Sequence, residues 1–187
     1  MNRVRSERRS VLGYIQQGDI VTFNWCMRRK RRELFTTVGH LISKTADGPY
    51  YFAAPLALLP INSAAATTLF IVLVTAFAIE RPLYTILKRG LKRNRPADAM
   101  PGFESFIAPA DQFSFPSGHT SGAFLMATAT GWIFPALLVP LYLWAALVGT
   151  SRVFLGVHFP SDIAAGALMG TSIGLLAISV LPSGLFP

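Results

Sequence analysis

After residue 48 the chain runs through long stretches that carry no charged side chain at all. That pattern restricts it to folds whose outer surface meets something other than water. Charged residues make up only 14% of the sequence and hydrophobic residues 52%, whereas a soluble domain has about a quarter of its residues charged. With 187 residues there is room for one domain and little more. The expected fold class is an all-α integral-membrane bundle of about five transmembrane helices, with one or two N-terminal interfacial helices.

The formal net charge of +8 raises nucleic acid as a partner, but the distribution of charge argues against it. Ten of the 17 Lys and Arg residues precede position 45, and five more lie between Lys88 and Arg95. Basic clusters beside apolar spans contact lipid headgroups or set topology. The single cysteine, Cys26, excludes an intramolecular disulfide framework, and no Cys/His spacing suggests zinc. No cofactor is expected. The N-terminal arginines are not followed by an apolar core and a small-residue cleavage site, so no removable signal peptide is expected.

Two regions follow. Residues 1–47 form a basic N-terminal interfacial segment, with residues 1–10 disordered or at the headgroups. Leu12, Ile15, Ile20, Phe23 and Trp25 supply an apolar face, and the run from Arg28 to Arg32 forbids a span there. Residues 48–187 form the transmembrane domain, with spans expected at 48–61, 64–87, 116–134, 136–150 and 160–181. The first is short for a bilayer that asks for about 20 residues. Prolines suit the first helical turn at Pro116 and Pro160. Five spans put segments 88–115 and 151–159 on one face. Gly166, Gly170 and Gly174, four residues apart, permit close helix packing.

Three blocks in those segments or at the adjoining helix ends carry chemistry. The first is Lys88, six residues, then Arg95-Pro96. The second is Pro116-Ser117-Gly118-His119. The third is Ser151-Arg152, five residues, His158, three residues, then Asp162. Lys88, Arg95 and Arg152 supply the fixed positive charge that phosphoryl transfer needs around its oxygens. Ser117 and Gly118 stand at a helix start, where free N–H groups favour an anion. Asp162 falls in the first turn after Pro160 and can reach back to His158. A carboxylate there fixes the imidazole tautomer and makes His158 the nucleophile. His119 is left to protonate the leaving oxygen and then activate water. The cations do the electrostatic work, so no metal is needed. Taken singly, Lys88 and Arg95 read as snorkelling side chains and Ser151-Arg152 as a helix end. Jointly these readings leave unexplained why two of only three histidines fall in the blocks. The third, His40, is assigned to structure, as are Glu80 and Arg81. Arg89, Lys92 and Arg93 are expected to hold anionic headgroups, and residues 97–114 to form a lid or rest on the membrane.

In order and spacing, the three blocks resemble the signature of the type 2 phosphatidic acid phosphatase superfamily over about residues 80–170. The resemblance is to its membrane lipid-phosphatase branch, similar to bacterial undecaprenyl-diphosphatases and phosphatidylglycerophosphatases. It implies a phosphohistidine intermediate on His158. It also implies a lipid phosphate or diphosphate substrate: undecaprenyl diphosphate first, then phosphatidylglycerophosphate or phosphatidic acid. Two alternatives stand beside it, a lipid phosphotransferase using the same intermediate and a non-catalytic lipid-binding or translocating bundle. Family precedent places such a site at the periplasmic face of a bacterial inner membrane. The basic N-terminus points to the cytoplasmic face.

Overall fold

A computed structural model describes residues 11–28, 32–182 and 184. The expectations for residues 1–10 and for most of the run from Arg28 to Arg32 lie outside the described residues. The regular elements among the described residues are all helical, in the order α1 (Val11–Met27), α2 (Arg32–Lys44), α3 (Gly48–Leu58), α4 (Ser63–Leu91), a one-turn α5 (Pro96–Ala99), α6 (Gly118–Ile133), a 3₁₀ turn (Pro135–Leu137), α7 (Leu138–Phe154) and α8 (Pro160–Val180).

All five apolar segments are helical, but their lengths differ. Among the described residues three helices are long and apolar enough to cross a membrane: α4, α7 with its preceding turn, and α8. α3 has only 11 residues, with Pro49 in its first turn and Pro55 inside it. α6 has 16 residues, below the ~20 that a bilayer core asks of a helix. It is the innermost helix, and Thr120 to Gly131 are almost all buried against α4, α7 and α8. Pro116 is not its first residue. Ser117 is the N-cap, its hydroxyl accepting from the Thr120 N–H, and Pro116 follows a cis peptide bond. Pro160 does open α8.

Small residues let α6 and α8 approach closely. A Cβ on Gly166 would stand 2.6 Å from the Ser117 carbonyl oxygen, and one on Gly170 only 2.1 Å from that of Ser121. The outer faces are apolar: Phe70 and Val74 on α4, Leu143 and Leu147 on α7, and Leu168, Leu175 and Leu176 on α8 are exposed. Large apolar side chains outside and small ones inside is the arrangement expected where lipid covers the exterior.

α1 and α2 carry exposed apolar side chains, among them Tyr14, Val21, Trp25, Leu34 and Leu41, as interfacial helices do. Both also dock on the bundle. Phe23 is fully buried, edge-on to Phe103 and Phe159. Phe35 of α2 stacks on Phe154 of α7 at 5.0 Å. The 100–117 connection is tied to the turn between α7 and α8. The Phe106 N–H donates to the Leu155 carbonyl at 3.0 Å, and Ser105 Oγ donates to that of Gly156 at 2.8 Å. Gly156 has φ +77°, and a Cβ there would collide with Phe103. This segment therefore packs on protein. Its ties bring the 88–115 and 151–159 segments to the same end of the bundle.

Candidate active site

Five elements converge at that end. The last turn of α4 supplies Lys88, the start of α6 supplies Gly118 and His119, and the last turn of α7 supplies Arg152. The turn before α8 supplies His158, and the residues between α2 and α3 supply Asp47. All six residues line one cavity of about 610 Å³. Tyr51, Phe52, Phe77, Arg81, Tyr84 and Asp111 line it too, so aromatic rings form part of its wall.

His158 is 3% exposed. Its Nδ1 faces Asp162 Oδ2 at 3.6 Å, beyond hydrogen-bond length, and finds no other partner among the described residues. The Asp162 carboxylate is fully buried and held on both oxygens. Oδ2 accepts from the Phe159 N–H at 2.8 Å, and Oδ1 accepts from Arg93 Nη1 at 2.6 Å. Burial pushes the His158 pKa down to about 4; Asp162 pulls upward, and the nearby positive charges of Arg95 and Arg152 push further down. At neutral pH the ring is uncharged and keeps a lone pair.

Arg152 is 5% exposed. Nη1 donates to Ser43 Oγ of α2 at 2.5 Å, while Nε, also buried, finds no acceptor among the described residues. No carboxylate lies within ion-pair distance of it among the described residues. A buried guanidinium left so is costly unless an anion comes to it.

Lys88 and Arg95 are already engaged by a residue the sequence reading passed over. Asp111 Oδ2 lies 2.8 Å from Lys88 Nζ and accepts from the Tyr84 hydroxyl at 2.8 Å. Asp111 Oδ1 accepts from Arg95 Nη2 at 2.5 Å. Burial alone would raise the Asp111 pKa, but hydrogen bonds from Lys88 and Tyr84 outweigh it and hold the carboxyl below its ordinary range. Arg95 also donates to the carbonyls of Asp111 and Val157 and does not line the cavity. Ser117 does not reach it either. Its hydroxyl accepts from Thr120, and its N–H donates to the Asp162 carbonyl at 3.1 Å. Of the two residues expected to receive an anion at the α6 start, only Gly118 faces the cavity.

Arg93 departs from its expected headgroup role. It is a half-buried tie among Asp162, Ser161, Gln16 and Asp19. Glu80 is fully buried, bonded to Arg81 and to Ser121 Oγ, which fits the structural reading. His119 Nε2 lies 3.1 Å from Asp47 Oδ1. His40 on α2 is not part of the cavity wall.

Residues 53–183 match the model of the PAP2 superfamily. The chain belongs to that superfamily. Over 106 residues it is 36% identical to the decaprenylphosphoryl-5-phosphoribose phosphatase of Mycobacterium tuberculosis, a match covering 54% of this chain and 55% of that protein. Over 159 residues it is 29% identical to the undecaprenyl-diphosphatase of Sulfolobus acidocaldarius, covering 81% and 74%. The crystal structure of Aquifex aeolicus LpxE superposes with a TM-score of 0.74 at 26% identity, covering 86% of this chain and 94% of that one. The chain spans about half the length of the mycobacterial relative. As a PAP2 member with apolar outward-facing helices, it is an all-α membrane protein. Asp19, Ser43 and Asp47 precede the matched region, yet each reaches the site.

Proposed function

We propose that this chain is a membrane phosphatase that hydrolyses a lipid phosphate or diphosphate through a phosphohistidine on His158. The observation that carries this reading is Arg152, a buried guanidinium whose Nε finds no partner among the described residues, on the same cavity wall as Lys88 and a neutral His158. Phosphate oxygens satisfy that guanidinium as no neutral ligand does.

The phosphoryl group rests among Lys88, Arg152 and the start of α6 at Gly118. His158 Nε2 attacks phosphorus in line with the leaving oxygen, with the Nδ1 proton facing Asp162. The N–P bond forms, the P–O bond breaks, and the leaving oxygen takes its electron pair together with a proton from His119. Asp162 stabilises the positive phosphorylated ring. His119, now neutral, takes a proton from water as the water oxygen attacks phosphorus. The N–P bond breaks, its electrons return to His158, and inorganic phosphate leaves. Arg95 and Ser117, one layer back, hold Asp111 and the α6 start in place. The cations supply the charge stabilisation, so the scheme needs no metal.

A polyprenyl substrate is favoured, with undecaprenyl diphosphate first. Two relatives carry polyprenyl phosphate substrates in their names, and aromatic rings lie beside the cations to receive an apolar tail. Phosphatidylglycerophosphate and phosphatidic acid follow. We place the site at the outer face of a bacterial inner membrane, by family precedent.

The test is phosphate release by purified protein in detergent, with chelator, from these three lipids, beside His158→Ala. Release that is lost in the variant supports the reading and ranks the substrates. Transfer of the phosphoryl group to a lipid acceptor instead of water would move the assignment to a phosphotransferase. Binding without turnover would move it to a lipid-binding bundle. Equal release by His158→Ala would remove His158 as nucleophile.

A further inference from the structure

Asp47 belongs to none of the three sequence blocks and precedes the region matched to the family. It occupies the N-cap position of α3 with extended backbone, φ −72° and ψ 140°, but its side chain makes no capping hydrogen bond. An N-cap aspartate ordinarily spends its carboxylate on the N–H groups of the first turn. Here Oδ1 reaches across to His119 Nε2 at 3.1 Å instead. Both side chains line the cavity that also holds Arg152 and His158. His119 Nδ1 makes no hydrogen bond among the described residues, which leaves that atom for a substrate oxygen.

We infer that Asp47 is a positioning residue for His119, on the reading of His119 as the proton donor and acceptor. Accepting the Nε2–H fixes the ring so that protons move at Nδ1. In the first step the Nδ1 proton passes to the leaving oxygen; in the second, the Nδ1 lone pair takes a proton from water. A carboxylate on the far nitrogen stabilises the imidazolium before the first transfer and after the second. Asp47 thus serves His119 as Asp162 serves His158, and each of these two histidines has its own carboxylate. The other charges acting on His119 are Arg152 and Arg81, both positive, so Asp47 is the group that opposes them.

The experiment compares two phosphate monoesters with the same apolar tail, one with an alkyl leaving oxygen and one with a nitrophenyl leaving oxygen. The second departs without a proton. Asp47→Asn should lower kcat on the alkyl ester about 10- to 100-fold and on the nitrophenyl ester by less than about threefold, with KM changed by less than about twofold. Asp47→Glu should restore much of the alkyl rate. His119→Ala sets the scale for losing the acid altogether. Equal loss on both esters in Asp47→Asn, with His119→Ala discriminating between them, overturns the role of Asp47 alone. Equal loss in His119→Ala overturns the acid assignment, and the inference falls with it. Thermal unfolding of each variant in detergent separates either result from a folding defect.

Discussion

Asp162 stands 3.6 Å from Nδ1 of His158, while its far oxygen is held by Arg93 at 2.6 Å. The carboxylate is close enough to orient the ring by charge, and it has to close only a short gap once the ring becomes cationic. Arg93 is in turn held by Asp19 of α1, which also accepts from the Ser161 N–H at 2.9 Å. Asp162→Asn keeps the shape and removes the charge. It should lower kcat by roughly a hundredfold or more, as loss of an orienting carboxylate does in comparable catalytic arrangements, with little change in KM. Arg93→Gln should give a smaller loss of the same kind. A loss confined to KM in either variant would show that the chain of contacts serves substrate binding rather than His158.

This arrangement also marks how far the sequence could be read. The blocks bearing Lys88, His119, Arg152, His158 and Asp162 stood out in the sequence because their residue types and spacings suit phosphoryl transfer. The bundle was legible from uncharged runs, and close packing by the last helix from glycines four apart; that α6 is its partner was not. Asp19, Ser43, Asp47 and Asp111 were not legible. Each is a single polar residue whose partner lies far away in sequence, and no spacing rule links Asp47 to His119 or Ser43 to Arg152. Tyr84 left a weak trace, since it lies one turn before Lys88 on α4 and its hydroxyl accepts from Lys88. Arg95 and Ser117 were assigned to the phosphate because charge and helix position permit it. Tertiary partners instead take up the Arg95 donors and the Ser117 N–H, and the Ser117 hydroxyl caps the first turn of α6 through Thr120.

The pH dependence of the first chemical step should carry the mark of His158. Attack requires the neutral ring, and the His158 pKa is pushed down to about 4. Above that value the lone pair is available; as pH falls through it the ring protonates and attack stops. The acidic limb of kcat/KM, corrected for ionisation of the substrate, should therefore lie below about pH 5 rather than near the ordinary histidine value of about 6.5. Asp162→Asn removes the group that favours the cation, so the limb should move further toward acid. A limb near 6.5 unaffected by that substitution would remove His158 as the group that must be neutral.

The close contact of α6 and α8 makes a prediction about stability. A Cβ at Gly170 would stand 2.1 Å from the Ser121 carbonyl oxygen, and backbone there cannot yield without moving the α6 turn next to His119. Gly170→Ala should cost about 1–3 kcal/mol through overpacking and lower Tm in detergent. Gly90→Ala, at a helical glycine with open space around it, should leave Tm equal or higher. A Gly170→Ala protein as stable as the parent would mean that the helices do not approach as closely as described.

Asp111 carries the last prediction. Its carboxylate occupies Lys88, Tyr84 and Arg95 at one side of the cavity where Arg152 and His158 also lie. A phosphate approaching Lys88 meets this negative charge beside it. Removing it while keeping the side chain's shape, in Asp111→Asn, should strengthen inhibition by inorganic phosphate or orthovanadate, lowering Ki by about 3- to 10-fold, up to ~1.4 kcal/mol. The gain should shrink at high salt if Asp111 acts through charge, because partly exposed charges are screened. Lys88→Gln should abolish the difference between Asp and Asn at position 111, since Lys88 is the cavity-lining cation that Asp111 neutralises. Weaker inhibition in Asp111→Asn would instead mean that Asp111 is needed to hold Lys88 and Arg95 in the geometry that receives the anion.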